Sequence, residues 1–263
     1  MDITKSALKN RRNGLASLLY VPGLVCCWNF SEDEPYRSLC GYTYTLLEGN
    51  GTPLIIDGGV IGNRSIELTE GKYLYVPRQF CPELNIYGED AAVTVLAWVR
   101  RQPKSYSQCE AIAGMWNETQ RLRQYCLFLN LQLFDSANQV CGHISGVGGP
   151  TTGERWCIDA SIGKTEVRYN EWAFAGFTYD GESIRSYLNG ELDLRPGGNP
   201  YSYKKGIFDA RAEGSDFTIG AVDRSGEMGN FFVGQISGIA VFNRALETDE
   251  IKKIHSDFPL PED

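Results

Sequence analysis

The stretch "NEWAFAGFTYDGESIRSYLNGEL", residues 170–192, contains two turn dipeptides separated by one short apolar segment. The Asp-Gly pair at 180–181 and the Asn-Gly pair at 189–190 are of the kind that closes β-hairpins. Between them Ile184 and Tyr187 are three positions apart, so the strand alternation is imperfect. The β-branched and aromatic content nevertheless favours a strand over a helix. The stretch therefore predicts consecutive antiparallel strands joined by tight turns.

Strand patterns continue on both sides of this stretch. In "KYLYVP", residues 72–77, two tyrosines alternate with Leu and Val, which predicts a strand whose tyrosines share one face. "VTVLAWVR", residues 93–100, is apolar on both of its faces. "YCLFLNLQLF", residues 125–134, is apolar nearly throughout, as expected of a strand in the middle of stacked sheets. Many strands separated by turns indicate a sandwich.

The C-terminal end has the one helical pattern in the sequence. Thr248 is a candidate N-cap, acidic residues follow in the first turn, and Ile251 and Ile254 share a face. We therefore predict an all-β, antiparallel sandwich with a short C-terminal helix. At 263 residues, with no repeat or linker, the chain reads as one domain at 20–263 preceded by an N-terminal extension at 1–19.

Composition limits the partners and the location. A net charge of -8 and a pI near 5 argue against nucleic acid, which needs a clustered basic face. No apolar run approaches the roughly 20 residues of a membrane span. "LASLLYVPGLVCCW", residues 15–28, is a poor signal peptide because Pro22 and Gly23 interrupt it. We expect either an intracellular protein or a chain that begins after a removed leader, in which case it is extracellular or periplasmic.

Eight cysteines lie in the first three fifths of the chain. In a secreted protein this even count would indicate disulfides, whereas in a cytosolic one the thiols would be buried as small hydrophobic groups. The sequence leaves both states open.

The hairpin stretch also carries a family likeness. Residues 170–192 resemble the paired-strand signature of laminin G-like, concanavalin A-like jelly rolls, in which Trp, Tyr-Asp-Gly and Asn-Gly recur in this order. "TVLAWVR", residues 94–100, resembles an earlier strand of these domains, and residues 217–251 resemble their closing strand and helix. The resemblance implies the concanavalin A-like, antiparallel jelly-roll β-sandwich fold. Less specifically, it implies carbohydrate binding, because this fold hosts lectins, binding modules, lyases and glycosidases. Calcium is common in the family, but Ser237 stands where the closing strand often carries an acidic residue, so a calcium site stays open.

Several catalytic or metal-binding patterns are incomplete. Gly163-Lys164-Thr165 ends like a phosphate-binding loop, but Ile158 stands where that loop needs its first glycine. His143 lies two residues from Cys141, which is too little for a zinc site. A glycosidase of this fold would place carboxylates on alternate strand residues, and no segment reproduces the family's Glu-x-Asp-x-x-Glu pattern.

A polysaccharide lyase acting on an acidic glycan is the stronger enzymatic alternative. β-Elimination from a uronic acid needs a cation to neutralise the carboxylate and a base to remove the neighbouring proton. His143 or Tyr125 is the candidate base, and Arg123 or Arg155 the candidate cation, with Arg121 nearby. A non-catalytic binding domain nevertheless requires fewer side chains in a precise geometry.

Sugar binding needs exposed aromatic faces together with planar amide, carboxylate and guanidinium groups. Trp28, Trp98 and Trp172 sit in strand patterns and are assigned to the core. The candidate ligand-binding residues have polar neighbours: they are Trp116, Asn117, Trp156, Arg224, Glu227 and Asn230. We predict a lectin-like domain that binds a glycan on the concave face of the sandwich, with the glycine-rich loop at 141–161 as a rim. A protein-interaction module is the alternative from another class, and the sequence names neither the sugar nor the oligomeric state.

Overall fold

A computed structural model describes residues 13–31 and 33–261. Residues 13–19 form helix α1, and Thr248–Asp257 form helix α2. Short 3₁₀ turns cover Arg78–Phe80, Pro82–Leu84 and Arg211–Glu213. The strands are β1 (Leu24–Trp28), β2 (Leu47–Gly49), β3 (Leu54–Asp57), β4 (Arg64–Leu68), β5 (Tyr73–Val76), β6 (Val93–Arg101), β7 (Glu110–Asn117), β8 (Leu122–Leu129), β9 (Gln139–Ile144), β10 (Ala160–Glu166), β11 (Ala173–Tyr179), β12 (Ser183–Leu188), β13 (Glu191–Leu192), β14 (Tyr201–Ser202), β15 (Phe217–Ile219), β16 (Val222–Arg224), β17 (Glu227–Gly229) and β18 (Gly234–Phe242).

Within the described ranges the strands form two sheets, which confirms the predicted sandwich. Sheet I has the order β13-β12-β11-β6-β18-β4-β3, with β1 on β18 and β14 on β12. Sheet II has the order β10-β9-β8-β7-β15-β5-β2, with the β16–β17 hairpin attached at the end of β7. The pairings among these strands are antiparallel, apart from a parallel bridge between β16 and β7, and a further parallel bridge joins Ala111 of β7 to Phe231.

The main core lies between the two sheets. Val95 and Val99 of β6 face Leu127 and Leu129 of β8 within one buried cluster, because alternate residues of each strand point to the same face. The predicted hairpin is also present, with Tyr179 paired to Ile184 across its turn.

A second apolar layer covers the outer face of sheet I. Trp98 of β6 and Phe174 of β11 pack there with Phe258, which follows α2, and with Leu18 of α1. Burial on both faces explains why β6 and β11 are predominantly apolar. It also explains the imperfect alternation of β12, where Ile184 enters the inner core and Tyr187 the outer layer.

Three details refine the sequence predictions. The N-cap of α2 is Glu247, not Thr248: its carboxylate accepts from the backbone of Glu250, and the Glu250 carboxylate accepts from the Glu247 backbone N–H. All eight cysteines lie in the described ranges and are free thiols. The predicted extension at 1–19 is described only from residue 13, and there Leu18 is buried against sheet I.

The structure also bears on membrane association. Neither α1 nor α2, the α-helices of residues 13–31 and 33–261, has the length and apolar character that a bilayer crossing requires.

Candidate functional site

The outer face of sheet II is covered by loops and a hairpin rather than by helices. One row of paired residues crosses this face from edge to edge, because each pair in the strand registers continues into the next. The row runs Leu47, Tyr75, Thr218, Gly114, Cys126, His143 and Ala160. It places Tyr75 of β5 and His143 of β9 on the same face, separated by four strand spacings, or roughly 19 Å.

Above the His143 end of this row lies a cavity of about 330 Å³, here called the Trp156 cleft. Its floor is apolar and aromatic, and its upper wall carries polar groups. The lining residues are Ser107, Gln108, Cys109, Glu118, Phe128, Leu131, Gln132, Leu133, His143, Trp156, Cys157, Arg224 and Asn230. Four of the residues predicted from the sequence therefore meet at one cavity: His143, Trp156, Arg224 and Asn230.

Trp156 presents an indole ring to solvent beside the cleft. Its exposed fraction is 57%, and the Arg155 guanidinium carbon lies 4.7 Å from the ring centroid. The loop that carries it is tied at its base, because the Thr151 hydroxyl donates to Asp159 (2.8 Å) and accepts from the Ile158 backbone N–H (2.9 Å). An exposed aromatic ring on an internally bonded loop is a suitable platform for a ligand.

A polar network forms another wall of the cleft. Glu118 Oε1 accepts from Trp116 Nε1 (3.2 Å) and from Asn230 Nδ2 (3.3 Å), and Glu118 Oε2 lies 3.9 Å from Arg224 Nε. These contacts fix the carboxylate in place. Because Asn230 uses its amide nitrogen on Glu118, its Oδ1 is the remaining acceptor. That oxygen is buried without a hydrogen-bond partner among the described residues.

His143 forms part of the floor as a neutral imidazole. Its exposed fraction is 4%, and its Nδ1 lies 3.0 Å from the Asp159 backbone carbonyl. A carbonyl only accepts, so Nδ1 carries the proton. Burial, reinforced by the charge of Arg123, lowers the pKa of His143 to about 3. The ring centroid lies 4.4 Å from that of Trp116, so the imidazole packs as an aromatic group.

Two predicted site residues lie elsewhere than expected. Trp116 was assigned to the ligand-binding surface, but it is buried (1% exposed) beneath the cleft, where it supports Glu118 and His143. Tyr125 was a candidate base, but its side chain points into the inner core and its hydroxyl donates to the Leu84 carbonyl at 2.7 Å. Burial raises the pKa of Tyr125 well above its ordinary value, which also disfavours proton abstraction.

The arginines of the lyase hypothesis do not gather around one proton acceptor. Arg123 is buried beside Trp116 and donates to the Gly148 carbonyl at 3.3 Å. Arg155 stacks on Trp156, and Arg121 is exposed at the start of β8 with a φ of 62°. Of the two alternative bases, Tyr125 faces the inner core, so only His143 lies at the cleft.

The two remaining predicted residues line neighbouring depressions. Glu227 borders a cavity of about 440 Å³ together with Tyr106, and this cavity shares Arg224 with the Trp156 cleft. Asn117 borders a pocket of about 380 Å³ on the other side of the β16–β17 hairpin. Sequence reasoning missed Glu118, although it directly follows two candidates in the polar run "WNETQ", residues 116–120.

The residues do not fit a metal site. Ser237, which replaces the family's acidic residue, is buried, and its hydroxyl oxygen accepts from the backbone N–H groups of Val60 (2.7 Å) and Ile61 (3.3 Å). Within the described ranges no three His, Cys, Asp or Glu side chains come together as ligands. Calcium is a hard cation that requires several oxygen ligands, so no step is assigned to it.

Comparison with known proteins places this architecture in a family. Residues 72–252 match the laminin G-type model described as the concanavalin A-like lectin/glucanases superfamily, and this match covers more than half of the chain. The chain belongs to this superfamily. No curated protein matches the chain.

Solved structures of the same fold include carbohydrate-associated and toxin domains. Domain 4 of AbnA, an extracellular arabinanase of Geobacillus stearothermophilus solved with arabinotriose, shares 14% identity at a TM-score of 0.58, covering 88% of this chain and 98% of that one. The botulinum neurotoxin serotype G binding domain shares 14% identity at a TM-score of 0.56, covering 89% and 50%. The botulinum neurotoxin DC binding domain in complex with SialylT shares 11% identity at a TM-score of 0.55, covering 89% and 51%. At these identities the likeness establishes the superfamily fold, and the chain spans about half of each toxin binding domain.

Proposed function

We propose that this domain binds carbohydrate in the Trp156 cleft. The observation that carries the proposal is the meeting, in one cavity, of an exposed Trp156 ring with the fixed polar groups of Glu118, Arg224 and Asn230. Sugars present C–H faces to aromatic rings and hydroxyl groups to planar polar side chains, so both kinds of partner are available here.

Each polar group has a defined role in this proposal. The Glu118 carboxylate accepts from sugar hydroxyls, and Arg224 donates to a neighbouring oxygen. Asn230 Oδ1 is a buried acceptor without a partner among the described residues, and such groups are rare because each costs about 1–3 kcal/mol. A ligand hydroxyl that reaches this oxygen by a small shift of the cleft wall would recover that cost. The neutral His143 gives the floor an uncharged, flat surface.

Two comparisons support a binding role. The arabinanase domain was solved with arabinotriose, and one of the toxin binding domains was solved with SialylT. The lyase alternative has less support, because Tyr125 lies in the core and His143 has a pKa far below that of an effective base at neutral pH. We therefore assign a non-catalytic function to the cleft.

The test is glycan binding by the wild-type chain and by Trp156→Ala. An array of neutral and acidic oligosaccharides identifies ligands, and calorimetry with the best of them measures affinity. Removing a stacked aromatic ring is expected to weaken binding about tenfold or more. Tyr20→Ala is the matched control: Tyr20 is 87% exposed and lies beside α1, which covers the opposite sheet.

The outcomes separate the candidate functions. Binding that falls in Trp156→Ala and persists in Tyr20→Ala supports the proposal. Equal binding by both variants would place the ligand elsewhere. Release of unsaturated products from uronate polymers, lost in His143→Ala, would instead favour the lyase.

A further inference from the structure

A second pocket lies on the outer face of sheet II, at the opposite end of the residue row from His143. Here called the Tyr73 pocket, it has a volume of about 380 Å³. It is built by three separate segments of the chain: β5, the turn that follows β7, and the residues around β15 and β16. The lining residues are Tyr73, Tyr75, Asn117, Gln120, Glu213, Gly214, Ser215, Asp216, Thr218, Asp223 and Met228.

Two tyrosines form the aromatic wall of this pocket. Tyr73 and Tyr75 alternate with the buried Leu74 and Val76 along β5, and their ring centroids are 6.0 Å apart. The Tyr73 ring lies directly over Gly49 of β2, its register partner, where any Cβ would overlap the ring. Glycine at this position therefore lets the ring lie flat against the sheet, which fixes the wall.

Polar groups line the rest of the pocket. Asn117 and Thr218 are buried at its floor, and the Ser215 hydroxyl is buried without a hydrogen-bond partner among the described residues. A hydroxyl in this state is expected to acquire a partner when a ligand with donors or acceptors binds. This observation is independent of the charges around the pocket.

The charge of the lining is entirely negative. Glu213, Asp216 and Asp223 contribute carboxylates, and no Lys or Arg of the described chain lines the pocket. The Arg78 guanidinium lies beside the pocket, where it donates to the Ser215 carbonyl (3.3 Å), and it is also bonded to Gln124 (2.8 Å) and Asn85 (2.6 Å). A cationic group that contacts the tyrosine faces would meet both ring quadrupoles and carboxylates.

We propose that the Tyr73 pocket binds a protonated amino-sugar residue. The pyranose ring packs on Tyr73 and Tyr75, and its ammonium group binds Asp216 and Asp223. Its hydroxyl groups reach Ser215 and, at the floor, Asn117. The choice of a sugar as the carrier of the ammonium group rests on the function proposed for the Trp156 cleft.

The two sites are joined by adjacent residues. Asp223 lines the Tyr73 pocket and Arg224 lines the Trp156 cleft, because successive strand residues point to opposite sides. Asn117 likewise lines the Tyr73 pocket, and the next residue, Glu118, lines the Trp156 cleft. The Glu118 backbone N–H donates to the Asp223 carbonyl at 2.8 Å. With roughly 19 Å between Tyr75 and His143 along the residue row, one oligosaccharide chain of several units spans both sites.

The experiment compares three β-1,4-linked oligosaccharides of equal length: a glucosamine oligomer, its fully N-acetylated form and a glucose oligomer. Affinities are measured by calorimetry at mildly acidic pH and low ionic strength, where the free amine is protonated. We expect the glucosamine oligomer to bind about tenfold more tightly than either neutral oligomer. The preference is expected because its ammonium group contacts both aromatic rings and carboxylates.

Three variants assign this preference to the pocket. Tyr73→Ala and Asp223→Asn are expected to abolish it, whereas Tyr73→Phe, which keeps the ring over Gly49, retains it. Asp57→Asn is the charge control, because Asp57 is an exposed carboxylate on β3 of the other sheet. Thermal unfolding verifies that each variant is folded, and Asp223→Asn remains informative if Tyr73→Ala does not fold.

Each outcome supports or overturns the proposal. Equal affinity for the three oligomers would overturn it. So would an equal loss of the amine preference in Asp57→Asn and Asp223→Asn, because an equal loss indicates attraction by net charge alone. An amine preference that survives Trp156→Ala supports the pocket even if the Trp156 cleft binds no sugar. Conversely, Trp156-dependent binding with no amine preference leaves the proposed function standing and refutes the Tyr73 pocket.

Discussion

Acidification should destabilise this protein through His143, and the size of the effect follows from its burial. The imidazole is 4% exposed, its Nδ1–H donates to the Asp159 carbonyl, and its pKa is lowered from 6.5 to about 3. The unfolded chain thus binds a proton near pH 6.5 that the folded chain does not accept. Stability contributed by the neutral ring is fully present above pH 6.5 and is lost as the pH falls towards 3.

The magnitude is about 1.4 kcal/mol for each pH unit below 6.5, because one proton separates the two states. Because the unfolded imidazole is only half protonated at pH 6.5, the loss attributable to this residue between pH 6.5 and 4.5 is about 2.3 kcal/mol. Carboxylates and His255, whose pKa is also lowered by burial, add their own pH dependence. A variant that lacks only the His143 imidazole separates these contributions.

The assay is urea unfolding of the wild-type chain and of His143→Gln at several values between pH 7 and 4.5. The variant is expected to be less stable at pH 7, because the packing of the imidazole against Trp116 is lost. Between pH 7 and pH 4.5 the free-energy gap between the two proteins should narrow by about 2.5 kcal/mol, since the variant has no imidazole to protonate. Parallel pH profiles for the two proteins would refute a neutral, proton-excluding His143 and would restore it as a candidate base.

Three further outcomes follow from the packing. Gly49→Ala is expected to cost about 1–3 kcal/mol of unfolding free energy, because its methyl group displaces the Tyr73 ring, whereas Gly41→Ala, which meets open space, should be neutral in the same urea titration. Arg101→Met leaves the Glu110 carboxylate buried without its 2.6 Å partner and should lower the free energy of unfolding by about 3–5 kcal/mol. A smaller decrease in urea unfolding would contradict a tight buried ion pair. Burial raises the pKa of all eight thiols. The folded protein should therefore react with Ellman's reagent at neutral pH far more slowly than the unfolded chain. Rapid reaction of more than two thiols in the folded protein would contradict this.

The sequence alone determined which segments are strands and which class of fold they build. The Asp-Gly turn joins β11 to β12 and the Asn-Gly turn joins β12 to β13, because Gly181, Asn189 and Gly190 adopt the positive φ that tight turns need. The apolar character of β6 on both faces indicated burial on both sides, which the α2 layer and the inner core provide. The family likeness at residues 94–100 and 217–251 falls within the superfamily match.

Tertiary structure decided which side chains face a ligand. Trp116 and Trp156 both have polar neighbours in sequence, yet one lies beneath the cleft and the other is exposed, because the loop between β9 and β10 packs over the outer face of β7 and β8. Tyr125 and Cys126 differ by one position, and the register of β8 sends the first to the core and the second to the outer face. Period-two alternation groups residues into faces but does not reveal which face is covered.

The Tyr73 pocket shows the same limit. The sequence predicted that its two tyrosines share one face, whereas Asp216 and Asp223 reach it from more than 140 positions away along the chain. Strand propensity and turn chemistry act over a few residues, so they determined the elements of this protein. Sites arise from contacts between distant segments, so their membership depended on how the two sheets and their loops pack.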